Sequence, residues 1–313
     1  MVAAPVPLHG LPDALTGGTV AIGNFDGMHA GHRAVLSEAL LGPGPVVALT
    51  FEPHPRAYFS GVPIFRLTPP AQKAAIAEAL GLDGLVVVPF DEALAGMAPA
   101  AFIDDILGRT LKAKRLVVGH DFRFGAKRAG DAAALKADGR FDVTVVAAHA
   151  DGAGAVSSSR IRTALSDGAP EVAANLLGYR YQVRAPIIHG EKRGRTLNYP
   201  TANQALPAES RLAHGVYAVR IHAAGAWRDG VASFGRRPMF DDGAPLLETF
   251  IFDFAGDLYG QAVTVAFVAF LRPEMTFDDL PALIEQMDAD SARARTVLSE
   301  AKPLSPLDQA LNF

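Results

Sequence analysis

The sequence predicts an α/β domain built on a doubly wound parallel sheet, followed by a smaller β domain, a barrel or a sandwich, that one helix closes. Three observations carry this. The chain has 313 residues, about twice an ordinary domain. In the first half, short apolar runs alternate with amphipathic stretches, which implies parallel strands joined by crossover helices. After about residue 180, strand-like runs follow one another with only turn residues between them.

In order, the first half reads TVAIGNF then HRAVLSEALL, VVALTFE then PAQKAAIAEAL, GLVVVPF then AAFIDDILGRTL, then RLVVG, and VTVVAAH before SSRIRTALSD. Ligands of such a sheet bind beyond the C-terminal ends of its strands. The helical pattern of EVAANLL stops at Gly178, a C-cap, so the domains are drawn as 1–180 and 181–313. The second half offers the strands YQVRAPIIH, GVYAVRIHA, AWRDGVASF, LLETFIFDF and AVTVAFVAF, then one helix from about Phe277 to Leu298.

Composition narrows the chemistry. There is no cysteine, which excludes disulfides, thiolate metal sites and a thiol nucleophile, and fits a reducing compartment. A formal net charge of −4 offers no broad basic surface for a nucleic acid, so any phosphate is gripped locally. No apolar run approaches the ~20 residues that cross a bilayer, and the N-terminal MVAAPVPLHGLPDAL has no basic, then apolar, leader pattern. The expectation is a cytoplasmic protein with small phosphorylated ligands, no nucleic acid and no membrane.

Residues 21–36, AIGNFDGMHAGHRAVL, run from a strand through a glycine-containing turn into a helix beginning near His32. Glycines allow close approach to a ligand, and the free N–H groups of the first helical turn point at it. His29 and His32, three apart, share a helix face and can both donate to phosphate oxygens. A metal site would need a third ligand, and Asp26 lies in the turn instead. Further on, Ser157, Ser158 and Ser159 open a helix as caps, and Arg162 projects from it as a cation.

In the second half, His189-Gly190-Glu191-Lys192-Arg193-Gly194-Arg195 suits a loop that closes on phosphates. Thr201 and Asn203 then supply neutral oxygens, a partial shell for Mg2+ on a nucleotide. Glu248 shares a strand face with Leu246, Phe250, Phe252 and Phe254. At the mouth of a barrel interior it could take a proton from an alcohol; on a solvated strand end it is an ordinary rim charge.

Gly23-Asn24-Phe25-Asp26-Gly27-Met28-His29-Ala30-Gly31-His32 resembles the H-x-G-H signature of the HIGH-type nucleotidyltransferases, in the form found in bacterial bifunctional riboflavin kinase/FAD synthetases. Thr50-Phe51-Glu52-Pro53-His54-Pro55-Arg56, Val117 to Gly125 with Arg128-Ala129-Gly130-Asp131, and Ser157 to Arg162 resemble later segments of the same family. Pro200-Thr201-Ala202-Asn203, Gly215 to Val219, Leu247-Glu248-Thr249, Gly256 to Gly260 and Leu271-Arg272-Pro273-Glu274 look like its flavokinase module.

The resemblance implies a Rossmann-like nucleotidyltransferase domain followed by a small antiparallel β-barrel with a C-terminal helix. It implies ATP as co-substrate, Mg2+, and riboflavin, FMN and FAD as ligands. In the first domain His29, His32 and Arg162 would stabilise charge while the FMN phosphate attacks the α-phosphorus of ATP. Gly23, Asn24, Phe25, Asp26, Gly31, Ser158 and Ser159 would hold ATP, and Asp121, Phe122 and Phe124 the flavin. In the second, Gly190, Gly194, Arg195, Thr201 and Asn203 would hold ATP and its Mg2+. Glu248 would be the base on the riboflavin 5′-hydroxyl, and Arg272 would lie near the flavin.

Asn198-Tyr199 stands where Gly-Phe is usual in that family, Ser233-Phe234 where Asn-Ile is common, and Met239 where Thr usually follows Arg-Pro. Two alternatives therefore stay open beside the bifunctional enzyme. One is a FAD synthetase whose barrel only binds flavin; the other is a non-catalytic flavin- or nucleotide-binding regulator.

Overall fold

The alternating apolar runs of the first half fold as predicted, into a doubly wound sheet whose six strands are all parallel. The structure, a computed structural model, describes residues 5–190, 199–236 and 245–313. The chain divides into two units, Met1–Ser158 and Ser159–Phe313. Gly194, Arg195, Asn198 and Met239 lie outside the described residues.

In the first unit the elements follow as β1 (Val6–Pro7), β2 (Thr19–Ile22), α1 (Ala30–Ala39), β3 (Val46–Glu52), α2 (Pro55–Ser60), α3 (Pro70–Ala79) and β4 (Gly84–Pro89). After them come α4 (Glu92–Gly96), α5 (Pro99–Ala101), a π-helical segment Phe102–Thr110, β5 (Arg115–Gly119), the short pair β6 (Arg123–Phe124) and β7 (Gly130–Asp131), α6 (Ala132–Asp138) and β8 (Asp142–Val146). The sheet order β1-β4-β3-β2-β5-β8 reverses direction at β2, with β3 on one side and β5 on the other. This is the switch point at which open α/β sheets leave a crevice. Val20, Ile22, Leu49, Val86, Leu116 and Val118 pack against Phe102, Ile103, Ile106 and Leu107 of the π segment. There Leu111 N–H reaches back five residues to Ile106 O, so the stretch read as an ordinary helix is wound wider.

α7 (Ser158–Ser166) starts at the boundary between the units, and α8 (Pro170–Leu177) follows in the second, stopping at Gly178 in the left-handed region, φ +73°. Beyond a two-residue hairpin in the first unit, β9 (Ala150–Asp151) with β10 (Gly154–Ala155), the remaining strands all belong to the barrel. They are β11 (Gln182–Pro186), β12 (Thr201–Ala205), β13 (Gly215–Ala223), β14 (Ala226–Arg236), β15 (Pro245–Ile251) and β16 (Ala262–Arg272). Their antiparallel order is β11-β16-β13-β14-β15-β12, and a bridge from Ile188 to Asn203 brings the two ends together. Gln204 closes the gap from inside, its Nε2 donating to Ala185 O at 2.8 Å and Val263 O at 3.1 Å.

Both faces of this sheet are buried. Gln204, Tyr217, Phe234, Leu247, Thr249 and Phe267 are enclosed by the barrel. Val216, Val231, Phe250 and Phe252 face outward onto α9 (Leu280–Glu300). One helix was expected to close the chain, but a second, α10 (Pro306–Asn312), follows it. Ser305 caps α10 and Pro306 starts it, both legible signals in a segment too short for periodicity to register. The fully buried Asp308 fastens α10: it pairs with the Arg180 guanidinium and accepts from Arg180 N and Leu304 N, both at 2.9 Å.

Candidate active sites

In the first unit, the turn between β2 and α1 sits at the switch point and is pinned along its whole length. Gly23 N–H donates to Leu49 O at 3.1 Å, and Asn24 O accepts from Thr50 Oγ1 at 2.9 Å and Lys73 Nζ at 2.8 Å. Asp26, buried, accepts the amides of Leu67 and Thr68 on Oδ1, both at 3.0 Å, while its carbonyl accepts from Ser158 Oγ at 2.7 Å. Gly27 N–H donates to Thr68 Oγ1 at 2.7 Å. This net holds a backbone that would not persist alone, since Phe25 (φ +49°) and Met28 (φ +39°) both lie in the left-handed region. Such residues cost about 1–2 kcal/mol each, and they gather at functional sites.

α1 begins at Ala30, two residues before the expected start, because His29 is its N-cap: its Nδ1 accepts the His32 N–H at 3.4 Å. The two imidazoles stack with centroids 3.8 Å apart, so the i, i+3 spacing does bring them together. Gly31 leaves room for this; a Cβ there would meet the His29 ring at 3.2 Å. Accepting on Nδ1 leaves the His29 proton on Nε2, and His32 Nδ1 is buried with no hydrogen-bond partner among the described residues. The His29 ring is therefore an Nε2–H donor.

Burial, with Arg33 nearby, lowers the His29 pKa to about 4, and burial with His29 and Lys73 takes that of His32 well below its usual value. At neutral pH both are uncharged donors. The unfolded chain protonates His29 near 6.5 and the folded chain only near 4, so stability from this residue is present above 6.5 and is lost as pH falls between the two. The expected loss at pH 5 is on the order of 2 kcal/mol. Urea denaturation followed by far-UV circular dichroism should show the first unit unfolding at lower urea at pH 5 than at pH 7, and His29→Asn should shrink that difference.

An aromatic wall lies beside this turn at the C-terminal strand ends. Phe122 and Phe124 are nearly parallel with centroids 5.5 Å apart, and Phe124 continues through Phe102 (5.3 Å) to Phe51 (6.4 Å). Asp121 is exposed at its start. Ser158 holds the turn as described; Ser159, exposed, and Arg162, half-buried, lie further along α7 in the second unit.

In the barrel, strand register puts the predicted residues into one row. Asn203 of β12 pairs with Glu248 of β15, Glu248 with Ser233 of β14, Ser233 with Val216 of β13, and Val216 with Arg272 of β16. Directly paired residues share a face, so Asn203, Glu248, Ser233 and Arg272 all point to one side. Neither reading of Glu248 holds as stated: its face is the outer one, shared with α9, and the interior face is that of Leu247 and Thr249. Glu248 is half-buried there. Thr201 lies two residues from Asn203 on the same face, opposite Phe250.

Among the described residues Asn203 Oδ1 has no hydrogen-bond partner; it is a buried neutral oxygen of the kind a hard cation takes. Gly190 lies against the same side chain; a Cβ there would fall 1.7 Å from Asn203 Nδ2, so a larger residue would displace it. Arg272 is fixed by α9, its Nε and Nη2 donating to Asp290 at 2.7–3.0 Å. Among the described residues no cluster of three or more His, Asp or Glu could hold a metal by itself.

Sequence reasoning missed Lys73 and the Arg66–Glu52 pair. Lys73 is buried on the inner face of α3 with Ile76 and Ala77, at i+3 and i+4; a lysine on that apolar stripe was the available signal. Arg66 grips Glu52 with both terminal nitrogens, a contact that spacing alone does not reveal.

Residues 11–160 match the FAD synthetase family and residues 177–298 the riboflavin kinase family. The bifunctional riboflavin kinase/FMN adenylyltransferase of Listeria monocytogenes is 36% identical over 291 residues, covering 90% of this chain and 92% of that protein. The protein of the same description from Escherichia coli K12 is 37% identical over 308 residues, covering 95% and 98%. A crystal structure described as a macrolide-efflux protein from Streptococcus pneumoniae aligns with a TM-score of 0.82 at 30% identity, over 93% of this chain and 98% of that one. No described helix here is long and apolar enough to cross a membrane. With both halves matched in order, and relatives of one description alike over nearly their whole length, the chain belongs to the bifunctional riboflavin kinase/FMN adenylyltransferase family, the ATP-dependent transferases that make FMN from riboflavin and FAD from FMN.

Proposed function

We propose that the two reactions divide between the two halves, 1–180 adenylylating FMN and 181–313 phosphorylating riboflavin, with Mg2+ accompanying ATP in each. The observation that carries this is the cross-strand row of the barrel, which sets a carboxylate, Glu248, directly beside Asn203, whose buried Oδ1 has no hydrogen-bond partner among the described residues. A flavin-binding regulator would need neither.

In the barrel, Glu248 takes the proton of the riboflavin 5′-hydroxyl as that oxygen attacks the γ-phosphorus of ATP and ADP departs. Thr201 and Asn203 would hold Mg2+, which neutralises phosphate charge when bound. Gly190, with Gly194 and Arg195, borders the phosphates, and Arg272 marks the flavin end of the row. Arg272 lies three strands from Glu248, about 14 Å along the curved sheet by the 4.7–4.9 Å strand spacing.

In the first half, the FMN phosphate attacks the α-phosphorus of ATP and pyrophosphate leaves. His29 and His32 donate Nε2–H to the phosphates, Arg162 adds a cation, and the amides opening α1 complete the cradle. Gly23, Asn24, Phe25, Asp26, Gly31, Ser158 and Ser159 shape the ATP side, Asp26 and Ser158 through the turn they fix. Asp121, Phe122 and Phe124 form the flavin side. We also assign the enzyme to the cytoplasm, since both reactions consume ATP and a chain without cysteine draws nothing from an oxidising compartment.

Asn203→Ala tests the division. The Mg2+ concentration giving half-maximal FMN formation from riboflavin should rise about tenfold or more, while FAD formation from supplied FMN keeps its rate. Separating both products by chromatography decides it; a change in neither reaction, or equal changes in both, would overturn the assignment.

A further inference from the structure

Lys73 is buried beneath the phosphate turn and takes no part in the two reactions as proposed. Its side chain is 1% exposed, yet its Nζ has reached two oxygens, Asn24 O at 2.8 Å and Thr50 Oγ1 at 3.1 Å. Thr50 Oγ1 in turn donates to Asn24 O at 2.9 Å, so ammonium, hydroxyl and carbonyl form a closed triangle under the residue that precedes the strained Phe25. An amine is an odd choice for that task if it is structural alone. A buried hydrocarbon with a hydroxyl would avoid the desolvation of a charge.

The charged groups facing Lys73 come from every element around it. The turn brings Asp26; β3 brings Glu52, which is already paired with Arg66 of the segment before α3; and α1 brings His32, which is uncharged at neutral pH. Asp26 and Glu52 favour the ammonium, Arg66 opposes it, and burial opposes it most. The ammonium is thus poorly compensated in the free protein, and an incoming polyphosphate above the turn would be its missing partner.

We propose that Lys73 is a positioning residue for adenylyl transfer: its buried ammonium fixes the strained turn through Asn24 and adds one positive charge beneath the phosphates, so that FAD formation, but not FMN formation, needs it protonated. The inference rests on placing adenylyl transfer over His29 and His32. In support, the Lys73 pKa is lowered to about 8 in the ligand-free protein, within the range where an assay can follow it. A bound polyanion must raise it, because attraction to negative charge favours the ammonium.

The test uses the full chain and measures FAD formation from FMN and ATP across pH 6.5–10, with FMN formation from riboflavin in parallel. For the natural protein, kcat/KM for ATP should fall about fivefold between pH 8 and 9, since it reports the free enzyme, while kcat, which reports the complex, holds to higher pH. Lys73→Met should give a lower kcat/KM without that alkaline limb, and Lys73→Arg should restore part of the activity with the limb displaced upward. Coincident limbs in kcat and kcat/KM, or an unaltered limb in Lys73→Met, would overturn the proposal. If neither variant makes FAD, the separation of the two limbs in the natural protein decides alone. Failure here is distinct from failure of the site itself, which would appear as FAD formation surviving loss of His29 and His32.

Discussion

Replacing His29 and His32 together by asparagine should lower FAD formation from FMN and ATP by about three orders of magnitude and leave FMN formation from riboflavin within about twofold. Removing one preorganised donor to a developing charge lowers kcat by roughly 100–1,000-fold. Two stacked donors that serve the same phosphates act as a unit, so their losses do not multiply. Asparagine is chosen because position 29 caps α1 and asparagine is among the best N-caps; the helix start survives the change. The unchanged kinase rate reports the health of the other unit. FAD formation at the natural rate would remove the histidines from the mechanism.

The second large effect belongs to Glu248. Glu248→Gln keeps the size and the hydrogen-bonding reach but cannot accept a proton, and kcat for FMN formation should drop about 100–10,000-fold with little change in KM for riboflavin. FAD formation from supplied FMN should be untouched. The carboxylate occupies the row position beside Asn203, so a simple loss of packing would raise KM instead. Equal rates for the variant and the natural protein would refute the base assignment.

The architecture was legible because its signals are local. Strand–helix alternation gave the parallel sheet, Gly178 gave the end of α8, and the spacing of His29 and His32 gave their contact. What stayed hidden depends on partners far along the chain. The uncharged state of His32 comes from burial together with His29 and with Lys73, more than forty positions away. The face of Glu248 was ambiguous for a definite reason. In β15 both alternating sets are apolar, Leu247 and Ile251 inward and Leu246 and Phe250 outward, because α9 covers the outside. Periodicity reports which residues share a face, and only a contrast between the faces tells which one is inside. The row joining Asn203 to Arg272 needs the register of five strands, including an irregularity between Val216 and Tyr217.

The strand order of the barrel also governs how it comes into being. β11, the first of its strands to be synthesised, pairs with β16, the last, so Gln182 meets Ala266 only after more than eighty further residues have been made. At about 5–20 residues per second, β11 waits on the order of ten seconds for its hydrogen-bonding partner. Its exposed Arg184 and the terminal Pro186 are the kinds of residue that keep a waiting strand from pairing with a stranger. Translation rate and chaperone access should therefore influence the yield of the kinase half.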